Sequence, residues 1–279
     1  MRASIFFATL VTALTLLAAF AHAQGSPQLR TCTGKPDVDW DQQITSCSAL
    51  IQSEQETPTI RAGAYYNRGT AWRTKGDLDR AIADYTDAIR LNMNYVAAYN
   101  HRGGLWIAKG DPDRAIADLN EAIRLDPYYA DPYNNRAHAW ALKRDLDRAI
   151  VDLNEALRLD PAFAIAYNNR GNALSAKGDI DRAIDDYTAA IRFDTNYAVP
   201  HNGRGNAWRS KGDLDRAIDD YTDAIRLDMN YANAYTNRGI AYERLGRKAE
   251  AIADFRKAAS IAPASQQSID GLKRLDAVP

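Results

Sequence analysis

The sequence predicts an all-α solenoid of stacked helical hairpins, and three observations predict it. The first is a repeat. The stretch GDLDRAIADYTDAIRL begins at Gly76 and returns at Gly110 (GDPDRAIADLNEAIRL), Arg144 (RDLDRAIVDLNEALRL), Gly178 (GDIDRAIDDYTAAIRF) and Gly212 (GDLDRAIDDYTDAIRL), then more loosely at Gly246 (GRKAEAIADFRKAASI). The second is the interval, 34 residues each time. A fixed period of that size marks supersecondary units that each bury a face on the next, not one globular core. The third is that apolar residues in every copy recur at helical spacing on both sides of a short turn.

Bulk composition narrows the function classes. The 279 residues carry 35 basic and 36 acidic side chains, interspersed, for a net charge of −1. That balance argues against an electrostatic nucleic-acid binder and against a polybasic membrane binder. The apolar content of 46% is ordinary and supplies a continuous elongated core.

Residues 1–23 read as a secretory signal peptide. Arg2 provides the positive start, Ile5 to Phe20 is an apolar run without charge, and Ala21-His22-Ala23 is a small-residue cleavage site that leaves Gln24 as the first mature residue. The run is short and wrongly flanked for a membrane span. No cysteine follows the cleavage site, so a lipid anchor is not expected, and no second long apolar run occurs. The expectation is an exported protein without a stable membrane anchor, most simply in a Gram-negative periplasm.

Cys32 and Cys47 are the only cysteines, and both lie in the exported part. An oxidising compartment and an even count favour a disulfide, with two unpaired buried thiols as the other reading. A loop of about 15 residues is worth roughly 3 kcal/mol in the chain-entropy model. The spacing excludes a CxxC redox pair, and zinc would lack further ligands.

Residues 24–36 look like an irregular lead. In 37–53, Ile44, Cys47, Leu50 and Ile51 fall at helical spacing and align with the second helix of the repeated unit. Residues 24–61 therefore read as a disulfide-tied N-terminal cap, a half repeat, with 54–61 and its Pro58 as connection. Six gapless repeats follow: 62–95, 96–129, 130–163, 164–197, 198–231 and 232–265. In each, a first helix runs to a turn at position 15, which is Gly in five copies and Arg144 in the third. Asp at position 16 suits the N-cap of the second helix, and Asp at 18 favours its dipole. Positions 20, 21 and 24 form its inner stripe. Pro127, Pro161 and Pro263 stop that helix, whereas Met93, Thr195 and Met229 at the same place predict softer stops. Residues 266–279 hold one more short amphipathic helix, the polar-faced terminal cap a solenoid needs.

These residues resemble the tetratricopeptide repeat (TPR). The likeness rests on the period and on Gly at position 8 (Gly69, Gly103, Gly171, Gly205, Gly239, with Ala137 in the third copy). It rests also on an aromatic at position 11 (Trp72, Trp106, Trp140, Trp208, Tyr242), Ala at 20 and 27, and Tyr, Leu or Phe at 24, over 204 of the 279 residues. The resemblance implies antiparallel helix pairs stacked in a right-handed superhelix. Its first helices would line a concave face that holds extended peptides or partner helices.

One departure is regular. Position 7, usually Leu in the family, is Arg in all six copies (Arg68, Arg102, Arg136, Arg170, Arg204, Arg238), and position 23 is Asp in all six (Asp84, Asp118, Asp152, Asp186, Asp220, Asp254). The two positions face each other across a hairpin, so the expectation is a structural Arg–Asp ion pair in each repeat, bidentate where geometry allows. An arginine row reading an acidic ligand is the functional alternative.

Groove positions 5, 6 and 9 are rich in asparagine: Asn67, Asn100, Asn134, Asn135, Asn168, Asn169, Asn172, Asn202, Asn206 and Asn237. A side-chain amide both donates and accepts, so a row of them can hold a peptide backbone without reading its sequence. Asparagine at position 6 also has structural uses in the family, and that reading stands beside the binding one. The carboxylate clamp of chaperone-binding relatives does not carry over, because Tyr66, asparagines and Thr236 stand where it needs Lys. Catalysis finds no support: His101, His138 and His201 make a poor metal cage even with Asp131, no nucleophile arrangement or phosphate loop occurs, and the paired carboxylates repeat as caps. No cofactor is expected. The aromatics at positions 4, 11 and 34 read as core.

The reading is a non-catalytic interaction scaffold or adaptor that binds an extended peptide segment of a protein client in the groove. Two other readings remain, a self-assembling structural protein, hence a homo-oligomer, and a cell-wall or glycan binder.

Overall fold

The structure is a computed structural model that describes residues 26–34 and 39–276. The expected signal peptide, 1–23, lies outside the described residues. Among the described residues there are fifteen α-helices and no strand. The chain divides into two compact units, residues 1–127 and 128–279.

The first unit holds α1 (Pro27–Cys32), α2 (Trp40–Gln52), α3 (Pro58–Thr74), α4 (Leu78–Leu91), α5 (Val96–Ala108) and α6 (Pro112–Leu125). α3–α4 and α5–α6 are antiparallel hairpins, and α2 packs on α3 as the second helix of a preceding repeat. The lead expected to be irregular instead forms α1. Ser26 caps it by accepting the Leu29 N–H at 3.1 Å, and Pro27 takes the first helical position, where its missing N–H costs nothing. A disulfide joins Cys32 to Cys47 of α2. Both cysteines are buried with Leu50 and Ala64 in a small core that Leu29 and Ile51 flank. Gln43 adds a hydrogen bond from Nε2 to the Cys32 carbonyl at 3.0 Å. Pro58 likewise sits at a helix start, not within a connection: Thr57 accepts the Ile60 N–H, and α3 begins there.

The second unit holds four hairpins and a closing helix: α7 (Ala130–Leu142) with α8 (Leu146–Leu159), α9 (Ala164–Ala176) with α10 (Ile180–Phe193), α11 (Ala198–Ser210) with α12 (Leu214–Leu227), α13 (Ala232–Arg244) with α14 (Lys248–Ile261), then α15 (Gln266–Arg274). α15 packs on α14. It buries Gly271 and Leu272 against Phe255, shares a Ser268–Thr236 hydroxyl bond at 2.8 Å, and ties Arg274 to Glu243 at 2.7 Å.

Second helices begin as their sequence demands. Asp77, Asp111, Asp145 and Asp213 accept the N–H three residues on, at 3.0–3.1 Å, while Asp179 makes no such bond. Their ends correct the expectation of softer stops. α4, α6, α8, α10, α12 and α14 all end at position 30, with or without proline at 32. The stop is set one residue later. Asn92, Asp160, Asp194 and Asp228 leave the helix in an extended conformation and accept the N–H two residues on at 2.9–3.0 Å, an Asx turn that offers the backbone an alternative to another helical turn. Between the helices of a hairpin, position 15 takes positive φ in every repeat: five glycines at 73° to 88° and Arg144 at 63°. Only glycine enters that region without a steric cost.

Candidate functional site

The regular feature of the hairpins is the ion pair across them. Arg68 donates from Nε and Nη2 to the two carboxylate oxygens of Asp84 at 2.9 and 2.7 Å. The same fork holds Arg102 to Asp118, Arg136 to Asp152, Arg170 to Asp186 and Arg238 to Asp254 at 2.6–2.9 Å, and Arg204 to Asp220 at 2.8–3.2 Å. The six aspartates are buried. Burial raises the Asp84 carboxyl above its usual value against the pull of Arg68, while the hydrogen bonds to Asp84 raise the Arg68 guanidinium. The remaining guanidinium nitrogen reaches back to the preceding second helix: Nη1 donates to Ser48 from Arg68, Thr86 from Arg102, Asn154 from Arg170, Thr188 from Arg204 and Thr222 from Arg238, at 2.8–3.0 Å. Each of these arginines therefore fastens one hairpin and joins it to its neighbour, and its charge is already spent on protein partners.

The asparagines fall into three environments. Asn100, Asn134 and Asn168, at position 5, are buried. Asn67, Asn135, Asn169, Asn202, Asn206 and Asn237 are half-buried, and Asn172 is exposed. Two bonds cross between repeats: Asn169 Nδ2 donates to Asn134 Oδ1, and Asn237 Nδ2 to Asn202 Oδ1, both at 2.9 Å. Asn168 donates weakly to Asn169 at 3.4 Å, and its own carbonyl oxygen is buried without a partner. At position 9, Asn172 and Asn206 accept from the hydroxyls of Tyr187 and Tyr221 at 2.8 and 2.9 Å. Thr70 shares a 3.1 Å bond with Tyr85 at the same place in the first repeat. Part of the amide is thus engaged within the protein at Asn134, Asn168, Asn169, Asn172, Asn202, Asn206 and Asn237.

The position-9 bond went unseen in the sequence, although a pattern was there to find. Tyr at 24 accompanies a hydrogen-bonding residue at 9 (Thr70 with Tyr85, Asn172 with Tyr187, Asn206 with Tyr221), and Gly104 or Ile240 accompanies Leu119 or Phe255. His138 opposite Leu153 breaks the rule. Also unforeseen are the bonds from Lys at position 14 to Asp at 18 of the preceding repeat, Lys109 to Asp79, Lys177 to Asp147 and Lys211 to Asp181.

A pocket of about 540 Å³ opens between the α7–α8 hairpin and α9. Its floor is apolar, with Ala137, Ala149 and Leu153. His138, Asn169 and Asn172 bring polar groups to it. His138 is open to solvent at one edge, yet the pocket walls withhold water from its cation and push its pKa down. His101 stacks on Tyr66, and His201 is buried 3.6 Å from Asp220. Among the described residues, no group of three or more His, Cys, Asp and Glu side chains is placed to hold a metal ion, and no helix is long and apolar enough to cross a membrane.

Sequence profiles described as TPR repeat match residues 142–178 and 205–246, and profiles described as tetratricopeptide repeat match 66–130, 164–197 and 232–265. No curated protein matches the chain. Among solved structures, the Cut9–Hcn1 hetero-tetramer of the APC/C superposes with a TM-score of 0.73 at 19% identity, covering 86% of this chain and 49% of that one. The chain therefore spans about half the length of that relative. A tetratricopeptide repeat protein from Parabacteroides merdae gives a TM-score of 0.69 at 21% identity over 85% and 93% of the two chains. YrrB, described as a TPR protein with an unusual peptide-binding site, gives 0.51 at 22% over 68% and 97%. At these identities the likeness is one of fold. Profiles, period and helical hairpins agree, and the chain belongs to the tetratricopeptide-repeat family.

Proposed function

We propose that this protein is a non-catalytic scaffold that holds an extended peptide segment of a partner protein along its first helices. Tetratricopeptide-repeat proteins are in general protein–protein interaction scaffolds, so the fold supports the class and leaves the partner to the site. The observation that carries the reading is the pocket between α7–α8 and α9: two of the groove asparagines, Asn169 and Asn172, line it. An amide that spends its oxygen on a tyrosine keeps its N–H donors, as Asn172 does with Tyr187, and donors in a row suit peptide carbonyls. The Arg–Asp pairs are structural in this reading, because their charges are satisfied inside the protein. The protein acts after export, which the Cys32–Cys47 disulfide and the leader-like residues 1–23 support.

The test is a pull-down with residues 24–279 from periplasmic extract, followed by crosslinking to map the bound segment. The control carries Asn135→Ala, Asn172→Ala and Asn206→Ala, which leaves the buried Asn134 and Asn168 in place, and is first checked for unchanged helicity. A client captured by the protein and lost with the control supports the reading. Equal capture by both moves the site off this face, and capture of no client overturns the scaffold.

A further inference from the structure

We propose that the pocket between α7–α8 and α9 receives a bulky apolar side chain, aromatic or long aliphatic, from a partner peptide that carries an Asp or Glu beside it; this rests on the scaffold reading and specifies its ligand. The third repeat departs from one or more of the others at several points, and the departures meet in this pocket. Position 12 is the first. In the fifth repeat it is Arg209, whose Nη1 crosses to Asn237 Oδ1 at 3.3 Å and covers the cleft between α11 and α13. Between α7 and α9 the equivalent pair is Ala141 and Asn169, so the cleft stays open. Position 24 is the second: Leu153, like Leu119 in the second repeat, stands where Tyr187 and Tyr221 fill the fourth and fifth. The result is a concavity of about 540 Å³ with an apolar floor, inside the range of roughly 300–1000 Å³ usual for ligand sites.

His138 is the third departure. Polar residues at position 9 elsewhere hold a tyrosine hydroxyl, but opposite His138 stands Leu153, and the imidazole makes no hydrogen bond among the described residues. A ring nitrogen is therefore left to a ligand. Arg144 is the fourth. It lines the pocket, it has no ion-pair partner among the described residues, and no Asp or Glu lines the pocket with it. It also occupies the positive-φ turn position, φ 63°, that is glycine in the other five repeats. A side chain kept in that region is a local disadvantage to the fold, and such residues concentrate at binding sites. An apolar cavity with one unspent guanidinium at its edge selects an apolar group next to a carboxylate. An internal acidic side chain fits better than a chain terminus. Terminal carboxylates are usually caught by free backbone N–H groups, and here those of the turn are used: Arg144 N–H on Ala141 O at 3.0 Å and Asp145 N–H on Trp140 O at 2.9 Å.

The probe is the blocked peptide acetyl-Gly-Ser-Phe-Glu-Ser-Gly-amide, titrated into 15N-labelled residues 24–279 and followed by two-dimensional NMR. Shifts are expected at Ala141, Asn169 and Ala173. Replacing Glu by Gln in the peptide should weaken binding roughly tenfold, the worth of a charge-assisted bond, and replacing Phe by Ser should abolish it. Arg144→Gly restores the residue of the other turns, so it folds, and should erase the Glu-over-Gln preference while retaining Phe. Ala141→Arg, which copies the covered cleft, should remove binding altogether. Equal affinity of the Glu and Gln peptides for the wild type, unchanged binding in Ala141→Arg, or tighter binding of acetyl-Gly-Ser-Phe with a free C-terminal carboxylate would each overturn the assignment. A client identified by pull-down and retained by both pocket variants overturns the pocket and leaves the scaffold standing. Absence of any client overturns the scaffold, while the titration still decides the pocket.

Discussion

A Cβ placed on Gly203 would stand 2.7 Å from Cε1 of Tyr187. The tyrosine ring at position 24 of one repeat is wedged against position 6 of the next, and Phe255 meets Gly271 in the same way at 2.6 Å. Both contacts are shorter than side chains tolerate, so each ring occupies the space a side chain would need, whereas Tyr85 and Tyr221 stand opposite His101 and Asn237 at the same positions. Gly203→Ala should cost about 1–3 kcal/mol by overpacking, less up to about 1 kcal/mol regained from helix propensity. In a Tyr187→Leu background the same change should be neutral or stabilising, because the ring is gone. Denaturant midpoints of the four proteins measure the coupling, and equal costs in the two backgrounds would refute it.

How far the sequence foretold this is uneven. The hairpins were legible because a 34-residue period repeats apolar spacing, and Asp at the start of second helices repeats with it. Helix ends are not, since Pro127, Pro161 and Pro263 are the conspicuous breakers, while the Asx turns at Asn92, Asp160, Asp194 and Asp228 make the stop. α1 was missed because six residues between prolines and glycines carry little periodicity; its cap, Ser26, and Pro27 were the signals. The asparagines could be counted, but not their burial. Asn168 and Asn172 lie one helical turn apart, one buried and one exposed, and only packing against the neighbouring helices decides which. The pocket could not be read at all from matches to the repeat. It arises where the third copy has residues of its own, at His138, Ala141 and Arg144, over a Leu153 that the second copy shares as Leu119.

Arg136→Ala should be strongly destabilising. Asp152 is buried and spends both carboxylate oxygens on Arg136. Removing the guanidinium strands the carboxylate, which costs about 3–5 kcal/mol where the pair is buried. At roughly 2–4 °C per kcal/mol for a chain of this size, the melting temperature should fall by about 6–20 °C. Replacing both partners with apolar residues, Arg136→Met with Asp152→Leu, should recover much of the loss. A melting temperature unchanged in the single variant would show the pair to be dispensable.

Reduction should loosen the N-terminal cap and leave the rest. The disulfide closes a loop of 15 residues between α1 and α2, worth roughly 3 kcal/mol in the chain-entropy model. Dithiothreitol should therefore raise amide hydrogen exchange in 27–52 while α9 to α14 keep their protection. Uniform loss of protection along the chain would show that the cap governs the whole fold.

Arg144→Gly should raise stability. The left-handed region costs a residue with a side chain about 1–2 kcal/mol, and glycine holds the same turn at Gly76, Gly110, Gly178, Gly212 and Gly246. The greater freedom of glycine in the unfolded chain opposes the gain by about 0.4–1 kcal/mol. A net increase of up to about 1.5 kcal/mol in chemical denaturation is expected, and a decrease would mean that Arg144 holds the turn by a contact of its own.

His101 should make the first unit sensitive to mild acid. Its ring lies between Tyr66, stacked at 5.3 Å, and Tyr85, whose hydroxyl is 3.4 Å from Nδ1. Burial first, and the nearby Arg73 guanidinium second, lower its pKa to about 4. The folded protein therefore keeps the ring neutral. The unfolded chain, with an ordinary pKa near 6.5, takes up the proton sooner. Stability from this site is complete above about pH 6.5 and falls as the pH drops toward 4, by up to about 3 kcal/mol. His101→Asn, the residue found at this position in Asn67, Asn135, Asn169 and Asn237, has no proton to bind. Unfolding free energies of wild type and variant, measured from pH 7 to pH 4, should diverge over that window with the wild type losing more. Parallel curves would show that the ring already shares its proton with solvent in the folded state.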